Sequence, residues 1–153
     1  MPGIIISDTS CLILLEKLHK LELLKSVFGK VIITQVIADE FEKVIPEYIQ
    51  IENPKDKNYQ RILESFLDPG EASAIALALE KENPLLIIDD YKARREAKQL
   101  RIKYTGTLGI LIVAKEKGLI PSVSEILKEI VNTDFRISEK LIDEVKMKSG
   151  ETE

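Results

Sequence analysis

Short apolar runs that alternate with helix-like segments constrain the fold of this chain more than any other feature. The runs at 4–6, 31–34 and 85–88 are rich in Ile, Val and Leu, and shorter or weaker ones lie at 48–52 and 102–104. Between them, apolar residues recur at helical spacing. Buried strands that alternate with helices indicate a parallel sheet covered on both faces. We therefore predict an α/β fold, a three-layer α/β/α sandwich with a central, mainly parallel sheet of about four to five strands.

The length of 153 residues suits one domain with a sizeable core. We expect a single domain over residues 1–150, in which 121–150 is a C-terminal helical extension of uncertain role. Two amphipathic helices are predicted there, one opened by Pro121-Ser122 and one beginning near Ser138. The tail after Lys148 is polar, so we expect it to be loose.

Composition limits the kinds of site that the chain can build. Hydrophobic residues make up 44% and charged residues 31%, and no apolar run reaches the roughly 20 residues that span a bilayer; we expect a cytoplasmic protein without membrane contact. The single cysteine, Cys11, and the single histidine, His19, exclude an intramolecular disulfide, a thiolate cluster and a multi-histidine site. We expect Cys11 to be buried and His19 to be exposed. Oxygen ligands remain for any metal, which favours Mg²⁺ or Mn²⁺.

Acidic residues stand at positions where an α/β sheet binds ligands. Asp8 follows the first strand, and Asp89 and Asp90 follow the strand at 85–88. In open α/β sheets the carboxyl ends of the strands border the ligand crevice. Glu71 lies in the first turn of a small-residue helix, and Glu40 lies within an apolar stripe predicted for a helix over 35–45, where a lone carboxylate would be costly.

Each acid also has a purely structural interpretation. Asp8 and Asp90 could cap helices, Glu71 could complete a capping box with Asp68, and Glu40 could pair with a Lys or Arg. Gathered together, however, like charges would raise one another's pKa, and a divalent cation would relieve that repulsion. We therefore predict that these acids surround a metal ion, with either Asp89 or Asp90 as the fourth acid. Spacing from Glu71 slightly favours Asp89.

A locally basic segment follows the last pair of acids. Six Lys or Arg residues and one acid, Glu96, lie between Lys92 and Lys103, although the whole chain has a formal charge of −4. Such a segment can be a solvated helix face or a surface that meets a phosphate backbone.

In this order, the sequence blocks resemble the PIN-domain ribonucleases, including the VapC-type toxins of toxin–antitoxin pairs. The resemblance runs from Ile4 to Ile120 and rests on IIISDTSCLILL, QVIADEFEKV, GEASAIALALE and LLIIDDYKARREAKQLRIKYTGTLGILIVAKEKGLI. It implies a metal-dependent endoribonuclease that cleaves single-stranded RNA by means of metal-activated water. It further implies the toxin of a toxin–antitoxin pair, with an antitoxin protein as a possible partner, and a homodimer.

The resemblance also assigns roles to individual residues. Mg²⁺ or Mn²⁺ would be held by Asp8, Glu71 and Asp89, or by Asp90 in place of Asp89. Many members carry Asp where this chain has Glu71. The implied catalytic set is Asp8, Glu40, Glu71, Asp89 and Asp90. The implied substrate contacts are Ser10 and Thr107, and from the basic segment we add Arg94 as a third expected substrate contact.

Two other functions compete with this one. A phosphohydrolase of the haloacid-dehalogenase type also places an Asp after its first strand, but it needs a second acid two residues later, where this chain has Ser10. A catalytically weak PIN-like module that acts by binding protein or RNA is the stronger alternative.

Overall fold

The computed structural model describes residues 3–135 and 137–151, and over these residues the chain forms a five-stranded parallel sheet. The strand order is β3-β2-β1-β4-β5, and each neighbouring pair is parallel. The strands are β1 Ile4–Ser7, β2 Val31–Ile33, β3 Ile49–Ile51, β4 Pro84–Ile87 and β5 Lys103–Thr105. The predicted α/β/α sandwich is thereby confirmed.

Helices cover the sheet in the order that the sequence pattern predicts. They are α1 Thr9–Lys17, α2 Leu23–Phe28, α3 Gln35–Phe41, α4 Lys57–Leu63, α5 Pro69–Leu79, α6 Tyr91–Gln99, α7 Thr107–Glu116, α8 Val123–Val131 and α9 Glu139–Lys148. Helix α5 is buried on nearly every side, because its Ala and Ser side chains let neighbouring elements approach closely. None of the helices in the described part of the chain is both long and apolar enough to cross a bilayer.

The strand order creates a switch point between β1 and β4. From β1 the chain moves outward to β2 and β3, and then returns to pair β4 with the other side of β1. Ligand crevices of open α/β sheets lie at the carboxyl ends of the strands at such a point. Ser7 is in register with Ile87, so Asp8, one residue after β1, and Asp89, two residues after β4, emerge at the same edge.

A second apolar core joins the C-terminal helices to the rest of the molecule. Besides the main core between sheet and helices, a cluster formed by α1, α2, α7, α8 and α9 buries Leu111, Val123 and Ile130 completely. Cys11 is buried in the main core, where burial, followed by the charges of Asp8 and Asp89, raises the pKa of its thiol. His19 is exposed. The predictions for Cys11 and His19 are thus confirmed.

The expectation of a loose tail after Lys148 is wrong for residues 149–151, because Glu151 is bound to the start of α8. Its carboxylate accepts hydrogen bonds from the Ser122 hydroxyl and from the backbone N–H groups of Val123 and Ser124, and it lies 2.7 Å from Lys115 Nζ. Burial disfavours the charged carboxylate, but the bonds from Lys115, Ser124 and the backbone outweigh it and hold the pKa of Glu151 well below its usual range. The carboxylate thus fixes the end of α9 to the start of α8.

Candidate functional site

Asp8 is the buried centre of the site. Its backbone N–H donates to Ile87 O at 2.9 Å, and its side chain is 1% exposed. Oδ1 accepts a 2.9 Å hydrogen bond from the Cys11 N–H and so caps α1, whereas Oδ2 accepts a 3.1 Å bond from the Asp89 N–H. The Asp8 carboxylate therefore caps α1, as its structural interpretation predicts, and is also hydrogen-bonded to the backbone of Asp89.

Burial is the largest influence on the Asp8 carboxyl. It raises the pKa of Asp8 from 3.8 to about 8, together with the negative charges of Asp89 and Glu71 and against the hydrogen bonds from the Cys11 and Asp89 N–H groups. A carboxylate in this position is costly unless a positive charge joins it.

Asp89 continues β4 to the same edge and is held there by Thr107. The Thr107 N–H donates to Oδ1 at 2.8 Å, and the Thr107 hydroxyl donates to Oδ2 at 2.6 Å. Thr107 is fully buried at the start of α7, so its hydroxyl orients Asp89. Asp90 instead caps α6 by accepting the Ala93 N–H at 3.0 Å. Of the two acids, it is Asp89 whose backbone is hydrogen-bonded to Asp8.

Glu71 approaches from the first turn of α5. Burial raises the pKa of Glu71 from 4.5 to about 7, with the charges of Asp90, Asp68 and Glu40 acting in the same direction and a hydrogen bond from the Asp68 N–H acting against them. One half of the predicted capping box therefore forms, whereas the Asp68 side chain makes no cap bond. Glu71 brings a third carboxyl to the charge cluster.

The expectation that Glu40 lies on an apolar helix face is wrong. Helix α3 ends at Phe41 because Glu42 adopts a left-handed conformation, and Val44 is 91% exposed instead of continuing the helix. Ile37 and Phe41 occupy the buried face, and Glu40 is exposed. Its Oε1 accepts a 2.5 Å hydrogen bond from the Thr9 hydroxyl, at the mouth of the site.

Two contacts at this mouth were not predicted from the sequence. Thr9 bonds to Glu40, and Gly70 lies so close to both side chains that a Cβ atom there would collide with Glu40 Oε1. The signals were present, because Thr9 is the hydroxyl next to Asp8 and Gly70 directly precedes Glu71. These two residues pack α1, α3 and α5 together beside the acids.

Ser10 is exposed on the first turn of α1 and lines a groove of about 190 Å³ with apolar partners that include Ile13 and Phe135. Among the hydrogen bonds of residues 3–135 and 137–151, none joins Ser10 to an acid. Its predicted substrate contact stays a prediction.

Arg94 is the member of the basic segment that turns towards the acids. Its Nε donates to Ile88 O at 2.8 Å, its Nη2 lies 4.0 Å from Asp89 Oδ1, and its guanidinium lies over the Tyr104 ring, 5.6 Å from the centroid. A cavity of about 330 Å³ opens at this point, and α9 forms its far wall with side chains that include Glu144 and Lys148. We call this cavity the Tyr104 cleft.

The ligand atoms of the acids suit a divalent cation, whereas the positions of their side chains do not yet form a complete metal site. Carboxylate oxygens suit Mg²⁺ and Mn²⁺, and a cation would offset the repulsion that contributes to the raised pKa values of Asp8 and Glu71. As the described side chains stand, however, no group of three or more His, Cys, Asp or Glu residues is arranged to hold a metal ion. Asp8 and Asp89 form a pair, and Glu71 would have to join it.

A comparison with known protein families covers nearly the whole chain. A family model described as a PIN domain matches residues 4–151, a range that holds all five strands, the acids above and the helices beyond Ile120 that the sequence blocks did not reach. No protein of curated function matches the chain. Because the family model spans almost the whole sequence, the chain belongs to the PIN-domain family.

Proposed function

We propose that this protein is a metal-dependent endoribonuclease that cleaves single-stranded RNA. PIN domains are generally nucleases and typically use divalent metal ions. The observation that carries the proposal is the hydrogen-bonded pair of Asp8 and Asp89 at the switch point of the sheet, with the pKa of Asp8 raised to about 8. Perturbed carboxyls that gather in a crevice are typical of catalytic sites.

Each acid has a distinct part in this proposal. Asp8, Asp89 and Glu71 would hold Mg²⁺ or Mn²⁺, which when bound polarises a phosphate and lowers the pKa of water for in-line attack. Asp8 and Asp89 present fixed oxygens because backbone N–H groups and Thr107 orient them. Glu40 is exposed at the mouth, so it can orient water or a second ion.

Asp90 and Thr107 act through their neighbours. Asp90 caps α6 and adds negative charge beside Glu71, so we assign it a supporting part in the acid cluster. Thr107 orients Asp89 from a fully buried position, so we propose that it serves the reaction by positioning that acid.

Substrate would approach over the basic helix α6. Arg94 lies beside Asp89, and the exposed Lys92, Arg95 and Lys98 continue the positive charge along the same helix. Positive side chains in such a row attract a phosphate backbone without reading its sequence. Ser10, exposed on the first turn of α1, is the proposed substrate contact from that helix.

The first experiment is a cleavage assay on a panel of single-stranded RNAs with Mn²⁺ or Mg²⁺. We expect cleavage that EDTA abolishes and that Asp8→Asn removes. Asp143→Asn, a change of the same chemistry at an exposed acid of α9, should leave cleavage intact. Products with 5′-phosphate and 3′-hydroxyl ends would agree with attack by water on the phosphorus.

A second candidate function is a PIN-like module that binds RNA or protein without efficient cleavage. The absence of a preformed three-ligand group among the described residues favours it. Wild-type protein that binds Mn²⁺ and RNA, but cleaves no member of the panel, would establish this function in place of the nuclease.

We further propose that the nuclease is the VapC-like toxin of a toxin–antitoxin pair, is homodimeric and acts in the cytoplasm. The support is the resemblance of the sequence blocks to such toxins. Expression of the wild type should arrest growth, whereas Asp8→Asn should not, and light scattering would give the oligomeric state. Unimpaired growth on expression of a folded, RNA-cleaving wild type would contradict the toxin function.

A further inference from the structure

The Tyr104 cleft offers a flat surface next to the acids. The Tyr104 ring is 37% exposed, and the Arg94 guanidinium stacks over it with 5.6 Å between the guanidinium carbon and the ring centroid. Aromatic rings and guanidinium planes are the two side-chain surfaces on which unpaired bases stack. We refer to this pair as the Arg94–Tyr104 platform.

Arg94 also keeps hydrogen-bond donors for an anion. A guanidinium has five N–H donors, of which the Nε donor is used by Ile88 O. At 4.0 Å, Nη2 is too far from Asp89 Oδ1 for a hydrogen bond. Within the part of the chain that the structure describes, the terminal N–H groups of Arg94 therefore have no hydrogen-bond acceptor. The side chain is 37% exposed.

Gly106 allows the guanidinium to reach this position. A Cβ atom on Gly106 would collide with Arg94 Nη2 and would lie 2.9 Å from Asp89 Oδ1. The backbone thus makes room for a cation between the acid and the cleft. Arg94 is thereby fixed at a point where one side faces the acids and the other faces the cavity.

The size and charge of the cleft limit what it can hold. Its volume of about 330 Å³ is at the lower end of small-ligand sites, which suits one nucleotide better than a longer segment. On the α9 wall, Lys148 is positive and Glu144 is negative, and Asp89 adds a second negative charge at the opposite side. A phosphate would therefore be drawn to Arg94 and Lys148 and away from the two carboxylates.

Resting on the proposed nuclease function, we propose that the Tyr104 cleft binds the unpaired nucleotide next to the scissile phosphate. The base extends the Arg94–Tyr104 platform, and the phosphate accepts N–H bonds from Arg94. A base can enter such a cleft only when it is unpaired and unstacked. The cleft therefore selects single-stranded RNA over a duplex, and Tyr104 is a specificity-determining residue.

Binding in EDTA tests this proposal apart from cleavage. Fluorescence anisotropy would follow a labelled short oligoadenylate and the same strand in a duplex. Tyr104→Leu should weaken binding of the single strand about tenfold, because base–aromatic stacking contributes affinity of that order. Tyr104→Phe should bind like the wild type. Tyr48→Leu, a change of the same size before β3 at the opposite end of the sheet, should have no effect.

Salt dependence separates stacking from misfolding. Tyr104→Leu removes no charge, so the slope of log affinity against log salt should stay that of the wild type while the affinity falls. Arg94→Lys keeps the positive charge but removes the planar guanidinium on which a base can stack, and it should also weaken single-strand binding.

The outcomes distinguish this proposal from the nuclease function. If the wild type binds and cleaves RNA but Tyr104→Leu binds equally well, the cleft proposal is overturned and the nuclease stands. If binding depends on Tyr104 but no RNA is cleaved, the cleft stands and the nuclease function fails. Equal affinity for single strand and duplex, or no RNA binding at all, would also overturn the cleft proposal.

Discussion

Replacement of Asp8 by Asn should remove most of the pH dependence of stability of the metal-free protein. The pKa of Asp8 is raised from 3.8 to about 8 in the folded state, chiefly by burial. Between these two values the folded state holds a proton that the unfolded state has released, so stability falls as pH rises. This contribution is complete below pH 3.8 and is lost as pH rises through about 8. Asparagine does not titrate and cannot produce the fall.

The magnitude follows from the width of this window. One unit of pKa difference corresponds to about 1.4 kcal/mol. From about pH 5.5 to about pH 7.5, which lies inside the window, the Asp8 carboxyl should lower the free energy of unfolding by about 2.5 kcal/mol. Such a fall is a large part of the ~5–15 kcal/mol by which a typical domain is stable. Glu71 adds a smaller slope, because it is only half-buried, and that slope remains in the variant.

Urea denaturation in EDTA at several pH values measures this difference. Asp8→Asn loses one good acceptor for the N–H groups of Cys11 and Asp89, which lowers stability by about 1–3 kcal/mol at every pH. The comparison of slopes is independent of that constant loss. Asp143→Asn, at an exposed acid, should keep the wild-type slope.

Parallel slopes for the wild type and Asp8→Asn would mean that burial does not hold a proton on Asp8, which is contrary to the prediction. Mg²⁺ or Mn²⁺ supplies a second check. A cation that binds only the folded state stabilises it, so metal should restore stability to the wild type at high pH and should have little effect on Asp8→Asn.

Three further predictions concern the supports of the site. Thr107→Val removes the hydroxyl bond to Asp89 and should lower Mn²⁺ affinity or the single-turnover rate about 10–100-fold, as loss of a ligand-orienting group commonly does. Thr107→Ser should restore either value. A Thr107→Val variant as active as the wild type would argue against the positioning role. Gly106→Ala should displace Arg94 and weaken RNA binding in EDTA, whereas unchanged binding would mean that the position of Arg94 is unimportant. Glu151→Gln should lower the free energy of unfolding by about 1–2 kcal/mol at neutral pH. Because the pKa of Glu151 is depressed, this difference should shrink as pH falls below its usual value of 4.5, as urea denaturation would reveal, and a constant difference would contradict it.

Local patterns in the sequence were sufficient for most elements of the fold. The β-branched runs formed strands because buried parallel strands select such side chains. The break between α1 and α2 falls near His19 as expected, and Pro69 stands in the first turn of α5 after the N-cap residue Asp68. The run Ile4–Ile6 ending at Asp8 also predicted a carboxylate at the edge of the sheet.

The prediction from apolar periodicity failed at α3, which ends earlier than the apolar pattern in the sequence. Counting apolar positions from Val36 to Val44 placed Glu40 on a buried face, but α3 ends at Phe41 and the later positions turn away. Periodicity assigns a buried face only if the helix continues through every residue that is counted, and Val44, one turn after Glu40, lies beyond the helix end and is exposed. The tertiary structure moved Glu40 to the mouth of the site.

Local sequence patterns were enough to define the strands, most helices and the residue types that could meet at the sheet edge. The pairing of β4 with β1, the hydrogen bond of Asp89 rather than Asp90 to Asp8, and the place of α9 in the wall of the Tyr104 cleft came from the tertiary structure. The physical reason is the range of the interactions involved. Capping and periodicity act over a few neighbouring residues, whereas strand order and the meeting of Asp8 with Asp89 depend on packing between segments far apart in the chain.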